Sequence, residues 1–267
     1  NLQPRHHHKA FLARTALGFT PAYQRPGLCT FKTEGPLAPD FVLESVFARH
    51  YGVSLGMASS LDEVIARARS LGEPVRVQVV ERDLYRPDEA PPRAEVGALG
   101  GRIEAELAAR APDLPQGPAR VGELVLDVVV APDDGFFLGC HRHAEGRAPL
   151  PGGRYAVSVP PDAPSRAYAK IEEAIQAFNL PLRPGQRALE LGSAPGGAAY
   201  ALARRGLSVV GVDPAEMDAR LLDFVGPHDA RITHLCMPMG GLDVLRIPRP
   251  IDWLLLDVHL APQVALH

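Results

Sequence analysis

A glycine-rich turn is the part of the sequence best suited to hold a ligand. Residues 190–197 read Glu-Leu-Gly-Ser-Ala-Pro-Gly-Gly, and they follow a predicted strand and open a predicted helix. In this position glycines let the backbone approach a ligand, and the N-terminus of the helix faces it. The spacing Gly192-x-x-x-Gly196-Gly197 is not GxGxxG, and Pro195 lies inside it. The turn therefore favours an amino acid with adenosine over a dinucleotide pyrophosphate.

Aspartates end two of the predicted strands. Asp213 ends the strand that follows the turn, where it is placed to accept hydrogen bonds from ribose hydroxyls. The alternative is that Asp213 only caps a helix that begins at Pro214. Asp257 follows the apolar run Trp-Leu-Leu-Leu, at the edge of the sheet where open α/β sheets bind ligands. Asp252, at the other end of that run, is interpreted as structural.

Composition sets the class of protein that must position these residues. The chain has 267 residues, of which 46% are hydrophobic and 22% charged, a globular composition with room for about two domains. No stretch approaches the roughly 20 apolar residues of a membrane span, and the first residues lack the apolar core of a signal peptide. We therefore expect a cytoplasmic protein with no membrane partner. A net charge of −3 implies that any RNA contact is regional.

The cysteines and histidines do not indicate a metal or disulfide framework. The three cysteines, Cys29, Cys140 and Cys236, are far apart and form no CxxC pair. His141 and His143 flank an arginine and have no carboxylate or cysteine partner in the sequence around them. We therefore expect no metal site.

A proline-rich bridge divides the chain. Five prolines lie within residues 149–164, a density that helices and central strands do not tolerate. The predicted organisation is an N-terminal α+β, ferredoxin-like sub-domain at 1–49, an α+β domain at 50–148, this linker, and a third domain at 165–267. Upstream of the linker we predict hairpins at 16–33 and 124–139, helices at 41–48, 60–71 and 97–111, and a strand from Val75.

Downstream of the linker, the pattern changes to alternating strands and helices. Short apolar strands are predicted near 188–191, 208–213, 232–235 and 253–257. Such strands, separated by crossovers, indicate a parallel sheet in a doubly wound, Rossmann-like α/β fold. Four strands are fewer than the usual number of about six, so we expect the sheet to be incomplete in this sequence.

The motifs resemble those of a known family. The turn at 190–197 followed by Gly-Val-Asp-Pro at 211–214 is similar to the S-adenosylmethionine site of FtsJ-type ribose 2'-O-methyltransferases. Residues 161–174 resemble the helix of that family that carries the lysine of a Lys-Asp-Lys-Glu tetrad, and Lys170 stands at that lysine. Residues 50–145 resemble a THUMP module, an RNA-binding unit. The combination resembles the bacterial methyltransferases of large-subunit ribosomal RNA.

This resemblance implies S-adenosylmethionine as cofactor and ribosomal RNA as partner, with the protein acting as a monomer on a cytidine. Lys170 and Asp257 are the implied catalytic residues, and Arg166 and Lys170 the implied RNA contacts. A second lysine as base and a glutamate are expected beyond residue 267. The implied cofactor-binding residues are Glu190, Gly192, Ser193, Ala194, Pro195, Gly196, Gly197, Asp213 and Asp257.

Alternatives remain open at this stage. Lys170 could be a solvated lysine that forms an ion pair on its own helix, with Glu173 or in the neighbourhood of Glu172. The protein could be a tRNA base N-methyltransferase, although the residues after Asp257 lack the Asn/Asp-Pro-Pro-aromatic loop of those enzymes. It could also be a non-catalytic RNA-binding protein. The segment 236–243 lacks the usual acidic residue near adenine, so Asp243 or backbone groups would replace it.

Overall fold

The computed structural model describes residues 18–45, 48–82, 97–132, 134–243, 245 and 247–258. The chain divides into two compact units, Asn1–Tyr155 and Ala156–His267. No helix in these described ranges has the length and apolar character needed to cross a membrane.

A hairpin opens the described part of the first unit. Strand β1 (Thr20–Arg25) pairs antiparallel with β2 (Leu28–Lys32) across a turn at Pro26 and Gly27, as predicted. Gly27 has φ +71°, a conformation that glycine adopts without strain.

The helix predicted over 41–48 is wrong for residues 41–45 and 48, where the backbone is irregular, and residues 46–47 lie outside the described ranges. Tertiary contacts hold this segment instead. The Phe41 ring packs 5.2 Å from that of Tyr51, and the carbonyl of Pro39 accepts a hydrogen bond from Arg142 N at 2.7 Å. Local helical spacing is outweighed when neighbouring elements satisfy the backbone and bury the apolar side chains.

A mixed four-stranded sheet forms the body of the first unit. Its strands are β3 (Val53–Ala58), β4 (Val75–Glu81), β5 (Leu124–Val130) and β6 (Phe136–Arg142), in the order β3-β6-β5-β4. Only the β4–β5 pair is parallel. Helices α1 (Leu61–Arg69) and α2 (Ala98–Arg110) complete the unit. Strand β5, inside the sheet, is almost continuously apolar and is buried at six of its seven positions.

The core of the first unit follows from this pattern. Side chains from α1, α2, β4 and β5 are fully buried, and they include Val64, Val77, Leu107, Leu126 and Val128. Burial of each contributes about 1.5–3 kcal/mol relative to an exposed position. Helix α1 begins where predicted because the Ser60 hydroxyl accepts a hydrogen bond from Glu63 N at 3.3 Å.

The second unit contains a parallel sheet of four strands. They are β7 (Arg187–Leu191), β8 (Ser208–Asp213), β9 (Ile232–Cys236) and β10 (Trp253–Leu256), in the order β10-β7-β8-β9. Helices α3 (Ala167–Ala177), α4 (Gly197–Ala203) and α5 (Ala219–Leu222) accompany them, with 3₁₀ turns at Pro227–Asp229 and Met239–Gly241. The predicted α/β architecture is confirmed for this unit.

The strand order reverses between β7 and β10. The chain moves outward from β7 through β8 to β9, and then returns to place β10 on the other side of β7. Leu191 and Leu256 are paired at the carboxyl ends of these two strands. Ligands bind at such reversal points in open α/β sheets because the connections diverge and leave a crevice.

The spacing of Ile171, Ala174, Ile175 and Phe178 predicts a helix from Ser165 to Phe178 with these side chains on one face, and α3 differs from that prediction at both ends. It begins at Ala167 rather than Ser165, although the Ser165 hydroxyl still accepts a hydrogen bond from Ala167 N at 3.3 Å. Ile171 and Ile175 pack against the core as predicted. Phe178, expected on the same face, is 75% exposed because the helix has ended at Ala177 and its backbone has left helical geometry.

Candidate active site

The glycines of the turn are required by packing inside the second unit. Gly192 has φ +82°, and a Cβ atom there would overlap the backbone carbonyl of Asp257. Gly196 has φ +108°, and a Cβ atom at Gly197 would overlap the hydroxyl of Ser165. Side chains at these positions would therefore push apart the turn, the end of β10 and the start of α3. The sequence pattern indicated ligand approach but not this packing requirement.

Asp213 connects the glycine-rich turn to the end of β8 by a hydrogen bond. Its Oδ2 accepts a hydrogen bond from Ala194 N at 3.1 Å, and its Oδ1 accepts one from Ala215 N at 2.8 Å. The second bond closes the turn after Pro214, but Asp213 does not cap a helix there, because α5 begins only at Ala219 and is capped by Asp218. Each carboxylate oxygen has a second lone pair, so these bonds leave acceptor capacity for a ligand.

Glu190 is a buried acid beneath the turn. It lies on β7 and is only 2% exposed, and its Oε2 has no hydrogen-bond partner among the residues described. Burial, together with the nearby negative charge of Asp257, raises the pKa of Glu190 to about 8. At neutral pH this side chain is therefore largely protonated unless a cation lies beside it. The sequence marked Glu190 as a binding residue but gave no sign of its protonation.

Lys170 and Asp257 form an ion pair at the edge of the same sheet. The Lys170 ammonium lies 3.1 Å from Asp257 Oδ2 and 3.5 Å from Oδ1, although 87 residues separate them in sequence. Their side chains are 69% and 53% exposed. Exposed pairs of this kind contribute little to stability, and both groups remain accessible to a substrate.

The alternative role for Lys170 on its own helix is not what the structure shows. Glu172 is buried and forms a bidentate ion pair with Arg205, on the turn after α4. The lysine points instead to the end of β10. Helix α3 thus uses its buried acid to pack against the next helix and its exposed lysine to reach Asp257.

Three further residues considered from the sequence lie outside the glycine turn and the ion pair. Asp252 is structural, as interpreted, because its Oδ2 accepts a hydrogen bond from Arg187 N at 2.8 Å at the start of β7. Arg166 is exposed at the N-cap of α3, four residues before Lys170. In the segment after β9, Asp243 Oδ1 accepts a hydrogen bond from Leu245 N at 3.0 Å.

The comparison with protein families agrees with this geometry. Residues 163–258 match the model of the FtsJ-like methyltransferase family. This range contains the reversal point of the strand order, the glycine turn, Asp213 and the Lys170–Asp257 pair. The resemblance indicated by the motifs is therefore confirmed over this part of the chain.

Individual relatives carry a more specific name. The chain is 34% identical over 176 residues to the ribosomal RNA large subunit methyltransferase M of Methylococcus capsulatus. The aligned residues make up 63% of this chain and 46% of that protein. The proteins of the same name from Laribacter hongkongensis and Teredinibacter turnerae are 36% and 28% identical over 121 and 230 residues. These matches cover 43% and 82% of this chain, and 32% and 62% of those proteins. The chain thus spans less than two thirds of the length of each.

Proposed function

We propose that this protein is an S-adenosylmethionine-dependent methyltransferase that modifies a ribose 2'-hydroxyl of ribosomal RNA. The observation that carries the proposal is the Lys170–Asp257 pair, exposed at the sheet edge beside the glycine turn. The match of residues 163–258 to FtsJ-like methyltransferases and the names of the relatives support the same reaction class. A cytidine target and a monomer in the cytoplasm complete the proposal.

The residues at the turn fit the cofactor. Glu190 Oε2 and the Ser193 hydroxyl are both buried without a hydrogen-bond partner in the described part of the chain. An α-ammonium group is the kind of donor that would satisfy a buried carboxylate and favour its ionised form. Asp213 is suited to ribose hydroxyls at the end of the neighbouring strand. The proposed cofactor residues are Glu190, Gly192, Ser193, Ala194, Pro195, Gly196, Gly197, Asp213 and Asp257.

The chemistry requires alignment of the ribose hydroxyl and removal of its proton. When bound, S-adenosylmethionine supplies a methyl group that is activated by the positive charge on sulfur. Asp257 holds the Lys170 ammonium at the sheet edge by charge and hydrogen bonding. From there Lys170 can donate a hydrogen bond to the ribose oxygen and stabilise the negative charge that develops as the proton leaves. By the family resemblance, a second lysine accepts that proton.

RNA recognition is assigned to two regions. Arg166, at the N-cap of α3, and Lys170, about one helical turn later, are both exposed and would contact the target strand. The predicted domain 50–148 would bind RNA mainly through phosphate contacts, as the THUMP resemblance implies.

The function is tested by transfer of a labelled methyl group to large-subunit ribosomal RNA that lacks modifications, using the full-length protein. The expected product is a 2'-O-methylated cytidine, which protects the following phosphodiester bond from alkaline cleavage. Label on a base would instead support the base N-methyltransferase alternative. RNA binding without any transfer would support the non-catalytic alternative, and either result would overturn the proposal.

The cofactor assignment predicts that Asp213→Ala weakens binding of S-adenosylmethionine. Loss of hydrogen bonds from ribose hydroxyls to a carboxylate should cost about 1.5–3 kcal/mol in binding free energy. Isothermal titration calorimetry on this chain measures the change. Asp223→Ala, at an exposed aspartate just after α5, is the matched control and should leave the affinity unchanged. Unchanged affinity in a folded Asp213→Ala protein would contradict the assignment.

A further inference from the structure

A buried cluster of two histidines and an aspartate lies in the first unit, and the proposed methyl transfer does not use it. Asp127 on β5 has a side chain that is only 4% exposed. His141 Nδ1 on β6 lies 2.7 Å from Asp127 Oδ2, and His50 Nε2, in the segment before β3, lies 2.9 Å from Oδ1. The sequence-based view that His141 lacks a carboxylate partner is therefore wrong. The partner is 14 residues away in sequence and adjacent across the sheet.

Hydrogen bonds within the cluster leave two atoms unsatisfied. His141 Nδ1 and Asp127 Oδ2 form a hydrogen bond. His50 Nε2 and Asp127 Oδ1 face each other at 2.9 Å but are not aligned for a hydrogen bond, and both are buried without a hydrogen-bond partner among the described residues. Such atoms are costly to bury, and in native proteins they commonly mark a ligand or ion.

The donor set is that of a metal site. One atom from each of His50, Asp127 and His141 lies within 4.8 Å of the others. Metal–ligand bonds of about 2.0–2.2 Å place the ligands of a tetrahedral zinc ion about 3.3–3.5 Å apart, so small side-chain shifts would suffice. Two imidazoles and a carboxylate suit zinc and its neighbours in the first transition series better than calcium or magnesium.

The surroundings provide space for a further ligand. His50 and Asp127 line a cavity of about 620 Å³ between the β1–β2 hairpin and the sheet, whose other walls are mostly apolar. His50 retains partial exposure, with 20% of its side chain accessible. This combination of three protein ligands with an open side is typical of metal sites that keep one position for water or a small ligand.

We propose that His50, Asp127 and His141 bind one divalent transition-metal ion of the zinc class, with its open position facing the cavity. The ion neutralises the buried carboxylate and ties the segment before β3 to strands β5 and β6. The site lies entirely in the first unit, so its existence is independent of the proposed methyl transfer.

The test is titration of the metal-free chain with zinc by calorimetry, against a competing chelator. His6–His8 are changed to alanine throughout, because three consecutive imidazoles would compete for the metal. The expected result is one tight site that raises the thermal unfolding midpoint. Cobalt substitution should give a spectrum without thiolate charge-transfer bands, which separates this site from adventitious binding at cysteines.

Variants locate the site. Loss of an outer partner of a metal site commonly costs about 10- to 100-fold in affinity, so Asp127→Asn and His50→Gln should each weaken zinc binding by at least about 100-fold. The control is His234→Gln, on β9 of the second unit, which should bind zinc as tightly as the parent chain. The proposal fails if the parent chain binds no zinc under these conditions. It also fails if folded Asp127→Asn protein, judged by circular dichroism, retains the parental affinity.

Discussion

Replacing Lys170 with alanine is expected to lower the rate of methyl transfer by about 10²-fold or more, while folding and cofactor affinity stay nearly unchanged. The reason is that Lys170 and Asp257 meet at the sheet edge and are exposed there, so their loss removes no core packing. Asp257→Ala should have a similar effect on rate. Single-turnover transfer of labelled methyl groups to ribosomal RNA by the full-length protein measures the chemical step separately from product release.

A neighbouring charge on the same helix provides the control. Glu173 is exposed on α3, so Glu173→Ala changes the helix surface without touching the ion pair, and its transfer rate should match that of the parent. Calorimetry on each variant separates loss of chemistry from loss of cofactor binding. Parental rates in Lys170→Ala would show that the tetrad assignment is wrong.

The second large effect is a pH dependence of the free energy of unfolding that is caused by Glu190. Burial raises the pKa of Glu190 from 4.5 to about 8, so the folded protein holds a proton that the unfolded chain releases between these values. The contribution of Glu190 to the free energy of unfolding should therefore be most favourable below pH 4.5. It should fall as the pH rises from 4.5 toward 8. Relative to Glu190→Gln, which cannot ionise, the decrease should reach up to about 1.4 kcal/mol per pH unit.

Urea unfolding of both proteins across this pH range measures the difference. Comparison with Glu190→Gln cancels the other titrating groups, since those are common to both chains. If the parent and Glu190→Gln show the same pH dependence, Glu190 is ionised in the folded protein at neutral pH.

Much of the second unit could be predicted from the sequence because its signals are local. Short apolar strands, a glycine turn and Asp213 at a strand end are each visible within about ten residues, and a parallel sheet brings their carboxyl ends together. The family resemblance then assigned Lys170 to the site. Its contact with Asp257 across 87 residues follows from the strand order, which places β10 beside β7.

Other features depend on contacts that local patterns do not contain. The segment 41–45 has helical spacing, but the Phe41 ring packs on Tyr51, and Pro39 just before the segment accepts a hydrogen bond from Arg142 N. The raised pKa of Glu190 depends on how deeply β7 is buried, and the cluster around Asp127 depends on the register of β5 with β6. These properties are set by tertiary packing, so alternation and spacing cannot reveal them.

The close contact between Gly192 and the backbone of Asp257 has a mechanical consequence. At this contact the turn proposed to hold the methyl donor lies directly against the backbone of the strand end proposed to meet the acceptor. A displacement of the turn is transmitted to the strand end, and the reverse, because close-packed atoms leave no space in which the shift could be taken up. A methyl group at residue 192 would therefore displace the turn and the strand end together. A substitution at this position cannot change the place of the methyl donor without also changing the place of the acceptor.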